Sequence, residues 1–268
     1  MPLVAGTLYL GQLQGANLDN SNFTNARLNN VNFEEASLQN AIFKNVDLRM
    51  AKFRDAKLKG ASFQEAYLDN LDLHRMVLNG ANFSNARLFK INLRKADLGS
   101  ANLTAVLLKE ANLDGALLSG AKLVKANFEA SSIQEAKFEE AILDDVCFEK
   151  AELSGASFRL ASLHDSNFKQ ANLIAVNFQG ADLERVDLAG STLHYAKFDD
   201  AIKVYNEKKK DGVEEEKTKT EVITTKLKEV NWLNPLADAS SIRISKENLS
   251  FLPDEIKDLY GHTFSIGI

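Results

Sequence analysis

Residues Ala81-Asn82-Phe83-Ser84-Asn85 and Ala181-Asp182-Leu183-Glu184-Arg185 are two copies of one five-residue unit. From Leu3 to Phe198 every fifth residue is Leu, Phe or Ile, without exception in 40 positions: 26 Leu, 13 Phe and Ile133. The position two residues before each of them is small. Between Ala16 and Ala201 it has 38 members, of which 25 are Ala. The position two residues after is turn-forming, with Gly, Asn or Asp in 19 of the 38 places from Gly15 to Asp200.

No helix suits this spacing. Five residues advance an α-helix by about 500°, which would spiral the apolar side chains over every side. A flat strand fails as well, because residues five apart point to opposite faces at period two. A chain that turns a corner every five residues satisfies the pattern. The central Leu or Phe and the small residue before it then point inward, and the other three point out. Gly, Asn and Asp at the corner tolerate the left-handed backbone that tight turns demand.

The repeat resembles the pentapeptide-repeat family, whose consensus is Ala-(Asp/Asn)-Leu-X-X. The resemblance covers residues 1–202 and implies an all-β fold, a right-handed quadrilateral parallel β-helix with four units to a coil and about ten coils. Four sides predict a stacking period of 20. The Phe residues agree with it: Phe23, Phe43, Phe63 and Phe83 fall in one column, with Phe33 and Phe53 opposite. Farther on, Phe128, Phe148 and Phe168 form a column opposite Phe138, Phe158, Phe178 and Phe198. Where the first Phe columns thin out, Leu71, Met76 and Ile91 replace Ala, which reads as compensation of core volume beside Leu73, Leu78 and Leu93. Each buried Leu or Phe contributes roughly 1.5–3 kcal/mol, and ten coils at about 4.8 Å give a rod about 48 Å long.

A solenoid exposes apolar core at its ends unless capped. Leu3, Leu8, Leu10 and Leu13 make an apolar first coil, a surface for a homodimer or a coil that frays. The repeat stops at Lys203. Residues 203–221 are mostly charged or polar and read as a flexible loop. Residues 222–268, with Val222, Ile223, Leu227, Val230, Trp232 and Leu233, read as a mixed segment capping the last coil. Pro253 followed by Asp254 and Glu255 opens like a helix.

Composition excludes several classes. The 268 residues hold 3 Pro and 1 Cys, so this is neither a Pro-rich linker nor a disulfide scaffold. No run of 18 apolar residues occurs, and the start lacks a basic leader region, so neither a membrane span nor a secretory signal is expected. Catalytic and metal constellations are not evident either, and no cofactor is expected. Cys147 is a lone outward thiol. His74 and His194 share a wall but lie about 29 Å apart, six coils at the strand spacing. His164 lies on another wall, and Ser162, His164 and Asp165 are neighbours without the order of a relay. Asp144-Asp145 and Asp199-Asp200 lack the further oxygens that calcium takes. An enzyme is not expected.

Charge divides the rod. Residues 1–100 carry 12 Lys/Arg against 9 Asp/Glu, and residues 101–202 carry 9 against 16. Acidic residues concentrate at Glu129, Glu135, Glu139, Glu140, Asp144, Asp145 and Glu149, a candidate acidic patch. Arg87, Phe89, Lys90, Leu107 and Lys109 form a candidate protein-contact patch, with Phe89 and Leu107 outward on one wall in adjacent coils. Lys44, Arg49, Lys52, Arg54, Lys57 and Lys59 spread over several walls without a stacking platform, so no direct nucleic acid is expected. The reading is a non-catalytic scaffold that presents flat faces to a protein partner in the cytoplasm. The alternative drawn from the resemblance is a DNA-mimicking modulator of DNA gyrase or topoisomerase, since some family members copy duplex DNA in size and charge. The third is a secreted effector acting on a host protein.

Overall fold

The computed structural model describes residues 11–28, 30–198, 243–244 and 265–266. In the repeat, each unit contributes one bridging residue to an edge and then turns. Every isolated bridge is parallel and joins residues 20 apart, from Gln12↔Asn32 to Asn177↔Lys197. Four units therefore close one coil, and coils stack in register. No edge is long enough to count as an extended strand. Two-residue strands occur only outside the repeat: β1 (Arg243–Ile244) pairs in parallel with β2 (Ser265–Ile266). The expected loop over 203–221, the helix opening at Pro253, and Leu3, Leu8 and Leu10 of the first coil lie outside the described residues.

The four walls can be named by their central residues. Wall A carries Leu28, Leu48 and every twentieth residue after. Wall B carries Phe33 and Phe53, wall C Leu38 and Leu58, and wall D Phe23 and Phe43. These residues and the Ala positions before them form one continuous core from Phe23 to Phe198, with Leu13 and Leu18 packed half-buried at its end. Phe rings 20 residues apart stack, as Phe128–Phe148 at 5.1 Å and Phe138–Phe158 at 4.8 Å. Rings ten apart meet edge-on across the core, as Phe148–Phe158 at 5.6 Å and 75°. Both arrangements are favourable for aromatic quadrupoles. Where Ser replaces Ala inside the core, its hydroxyl donates to a backbone carbonyl: Ser131 to Leu108, Ser166 to Leu143, Ser191 to Leu188.

The corners are left-handed, with φ of +54° to +71° at every described corner from Gly15 to Tyr195 except Met50. Glu65, Ala105 and Leu160 adopt this backbone despite their Cβ atoms, at about 1–2 kcal/mol each. Bonds from coil to coil hold them there, for example Glu65 N–H to Ser84 O at 3.0 Å. The Asn or Asp before the central residue has a local task. Its Oδ1 accepts from the backbone N–H two residues on, as Asn22 from Thr24 and Asn127 from Glu129, an Asx turn that starts the corner. Where that position is Ser37, Arg87, Ser132 or Ser162, an Asp from the coil below reaches up to the same amide. Asp19 takes Gln39, Asp69 takes Phe89, Asp114 takes Gln134 and Asp144 takes His164.

The volume compensation holds for Ile91, which is fully buried beside intact bridges. Leu71 and Met76 do more than fill space. Between Met50 and Leu58 on one coil and Asp69 to Val77 on the next, the coil-to-coil backbone bonds are missing among the described residues. The Asn32↔Lys52 and Ser37↔Lys57 bridges below and Asp72↔Asn92 and Val77↔Asp97 above are in place. The two long side chains need more axial room than Ala, and the stack opens along half a coil. Ala51, Ala56, Leu71 and Met76 retain 6–8% exposure, where most of the core retains none. Val and Ile at equivalent positions, such as Val106 and Val146, leave the ladder closed. Their β-branched side chains end one atom sooner or fold back on Cβ.

Candidate interaction surfaces

Wall A gathers the strongest surface. Tyr67, Arg87 and Leu107 follow one another in its outward column, bridged Tyr67↔Arg87 and Arg87↔Leu107. Tyr67 is 40% and Leu107 46% exposed. Phe89 lies half-buried beside them, with Lys90 Nζ 5.0 Å from its ring centroid, and Arg49 stands 6.0 Å from the Tyr67 ring. At the lower end of the wall a surface hollow of about 440 Å³ is lined by Asn30, Asp47, Arg49, Met50, Asp69 and Asn70. It adjoins the open stretch of ladder, and Met50, the one corner that is not left-handed, stands 65% exposed at its edge.

The candidate contact residues Arg87, Phe89, Lys90, Leu107 and Lys109 are thus brought together, but their charge differs from what the sequence suggested. Each cation has a carboxylate partner. Arg87 Nε is 3.1 Å from Asp69 Oδ2, Lys90 Nζ 3.2 Å from Glu110, and Lys109 Nζ 2.7 Å from Glu129. The Glu129 hydrogen bond raises the Lys109 pKa above the usual lysine range. Asp47, held by Arg49 at 2.6 Å, sits below the ordinary carboxylate range for the same kind of reason. The patch is therefore apolar and aromatic within a ring of neutralised ion pairs, rather than basic. Tyr67, Met50 and Asp69 carry no local signal of this kind in the sequence, and Arg49 stands out there only as one of several scattered basic residues. The signal that would find them is column position at period 20, together with a Met standing at a corner otherwise given to left-handed residues.

The seven acidic residues do not form a patch. Glu129 and Glu149 stack at the corner between walls A and B, and Glu135 lies between B and C. Glu139 and Glu140 lie between C and D, and Asp144 and Asp145 between D and A. They make a belt around one coil. Several are engaged: Glu129 by Lys109, Glu139 by Ser119, Asp144 by Ser162 and Glu149 by Lys150. A five-residue period places neighbours in sequence on successive corners, which turns a cluster in the sequence into a ring in space.

His164 has the richest polar surroundings. Ser162 Oγ donates to Asp144 at 2.5 Å rather than to the imidazole, and Asp165 is taken by Arg185 at 2.6 Å. That pairing lowers the Asp165 pKa. No nucleophile relay forms. Instead His164, Asp182 and Glu184 converge, with one donor atom of each within 4.8 Å of the others. Sequence spacing hid this, because Asp182 and Glu184 reach His164 only across one coil. His74 is paired with Asp72 at 2.9 Å. Cys147 is a free, half-buried thiol on wall A. Among the described residues no helix is long and apolar enough to cross a membrane.

A family model described as pentapeptide repeat region matches residues 9–73 and 121–198. A second, described as pentapeptide repeats (8 copies), matches 56–94, 86–123 and 96–134. No curated protein matches. Among solved structures, the chain is similar to HetL from the cyanobacterium Nostoc sp. strain PCC 7120, a pentapeptide repeat protein involved in heterocyst differentiation regulation. Identity is 27%, covering 75% of this chain and 84% of that one, with a TM-score of 0.26. It is similar to a pentapeptide repeat protein of the Arabidopsis thaliana thylakoid lumen at 31% identity, over 50% of this chain and 68% of that one, with a TM-score of 0.15. A structure of QnrB1, a plasmid-mediated fluoroquinolone resistance protein, matches at 13% identity over 96% and 95%, with a TM-score of 0.44.

Proposed function

Starting from the premise that this chain belongs to the pentapeptide-repeat family, we propose that it is a non-catalytic rod that binds a partner protein through wall A. The observation that carries this reading is the run of Tyr67, Arg87, Phe89 and Leu107 across three adjacent coils. Tyr and Arg are enriched among the residues that dominate protein–protein affinity, and Phe is enriched at interface cores. The surrounding pairs Arg87–Asp69, Lys90–Glu110 and Lys109–Glu129 supply a polar rim without unpaired charge. Through the described coils the inside of the rod is filled by side chains from Phe23 to Phe198, which leaves recognition to its outer walls. The right-handed turn of the coil belongs to the same proposal, as does a cytoplasmic site of action.

The test uses three variants of the full chain. Leu107→Asp and Tyr67→Asp alter wall A, and Asn112→Asp alters wall B in a comparable bridging position. Affinity capture from the native cells, quantified by mass spectrometry, should show a partner that binds the wild type and the Asn112 variant alike. It should bind the wall A variants at least about tenfold less, equivalent to about 1.4 kcal/mol. A partner captured equally by all would remove wall A from the account.

A further inference from the structure

We propose that His164, Asp182 and Glu184 form a binding site for a divalent transition-metal ion, with zinc as the ion best suited to the donor set. The three donors come from two adjacent coils at the corner between walls D and A. Their positions are fixed by the rod: Ser162 and Asp182 are bridge partners, and the Asp165 amide bonds to the Glu184 carbonyl. One imidazole nitrogen and two carboxylate oxygens are a common zinc set, completed by water. Donors bound at about 2.0–2.2 Å to one ion stand roughly 3–4 Å apart. Those of His164, Asp182 and Glu184 already lie within 4.8 Å of each other.

The state of the His164 ring is the second, independent observation. Its Nε2 is buried and makes no hydrogen bond. Asp182 Oδ2 lies only 2.9 Å away, so the carboxylate is near the nitrogen but off the line along which the ring would donate. A buried nitrogen left without a hydrogen bond costs free energy unless something fills that line. A metal ion on the lone-pair axis would do so and would draw both carboxylates to itself. Asp144 Oδ1 is 4.0 Å from Nδ1 and accepts the backbone N–H of His164. At 4.0 Å that carboxylate is beyond hydrogen-bond reach of the ring, so it holds the His164 backbone and not the imidazole. Arg185 touches Glu184 Oε1, so Glu184 shares its carboxylate and should be the weakest of the three ligands. The ion would staple two coils of the rod just beneath its last described turn.

Untagged full-length protein, stripped with chelator, should bind ZnCl2 with a stoichiometry of one in calorimetry. Cobalt in place of zinc should give visible ligand-field bands. His164→Ala and Asp182→Asn should each weaken binding by at least about tenfold and abolish those bands. Glu184→Gln should have the smallest effect. His74→Ala should change nothing, and unchanged far-UV circular dichroism in every variant keeps loss of fold apart from loss of a ligand. No binding at 100 µM zinc, about tenfold above a modest site, would overturn the proposal. So would a stoichiometric site that survives His164→Ala or is lost with His74→Ala.

Discussion

Replacing Phe148 by Ala is the sharpest test of the core. Phe148 is fully buried on wall A. Its ring stacks on Phe128 at 5.1 Å and Phe168 at 4.8 Å, and meets Phe138 at 6.2 Å and Phe158 at 5.6 Å. Deleting such a side chain costs about 3–5 kcal/mol in lost transfer and cavity. Each aromatic pair adds about 0.5–1.5 kcal/mol, though pairs that share one ring do not add fully. The expected loss is therefore about 4–6 kcal/mol, at the upper end of single substitutions. Urea unfolding followed by far-UV circular dichroism reads it directly. With a slope of about 2–3 kcal/mol per molar, the midpoint should fall by about 1.3–3 M. Because each coil touches only its neighbours, the variant should also broaden the transition as the two halves of the rod uncouple. Phe148→Leu, which restores the residue most common at this position, should cost far less. Leu107→Ala on the outer wall should cost about 0.5 kcal/mol or less. A Phe148→Ala midpoint within about 0.3 M of the wild type, or equal to that of Leu107→Ala, would refute an inward-facing core.

Three further outcomes follow from the geometry. The amides of Phe53, Leu58, Asp72 and Val77, which lack coil-to-coil bonds, should exchange hydrogen at least about tenfold faster than those of Phe63, Leu68, Asn82 and Arg87 half a coil on; equal rates would mean that the stack is closed there. The Arg185 bond lowers the pKa of Asp165, and the Ser37 hydroxyl, followed by the Gln39 amide, lowers that of Asp19. Folding thus releases protons from both, so their contribution is present above about pH 4, the unfolded carboxylate value, and is lost as pH falls through the lower folded values. Asp165→Asn should flatten the fall of the urea midpoint below pH 4, and a profile with unchanged slope would exclude this linkage. With its acidic residues arranged as a belt, the protein should leave gyrase supercoiling unaltered at micromolar concentration. Inhibition or protection that vanishes on charge reversal of Glu139, Glu140, Asp144 and Asp145 would instead favour a DNA-like role.

Most of the coil could be read from sequence because inward positions are decided by two residues in five. The Leu or Phe and the Ala before it impose the corner spacing; the Phe alternation has period 10 and agrees with the 20-residue coil that the bridges and ring stacks display. What could not be read is chemistry between coils. Leu71 and Met76 look like harmless fillers until two coils are stacked, when their length parts the ladder. The acidic cluster becomes a belt for the same reason. His164 meets Asp182 and Glu184 only because residues 18 and 20 positions apart become neighbours. The cations at Arg87, Lys90 and Lys109 are likewise neutralised by acids at Asp69, Glu110 and Glu129, offset by 18 to 20 residues. Outward positions are free to vary, so no local pattern announces these pairings.

Pairs of spin labels along wall B test the coil itself. With Cys147 replaced by Ser, labels at Asn32 and Asn112 lie four coils apart, at Asn32 and Asn172 seven, and at Asn32 and Thr192 eight. Electron–electron distances should centre near 19, 34 and 38 Å, rising by about 4.8 Å per twenty residues. Distances that fail to lengthen in proportion to the number of coils, or that place Thr192 nearer to Asn32 than Asn112 is, would contradict a rod of stacked four-sided turns.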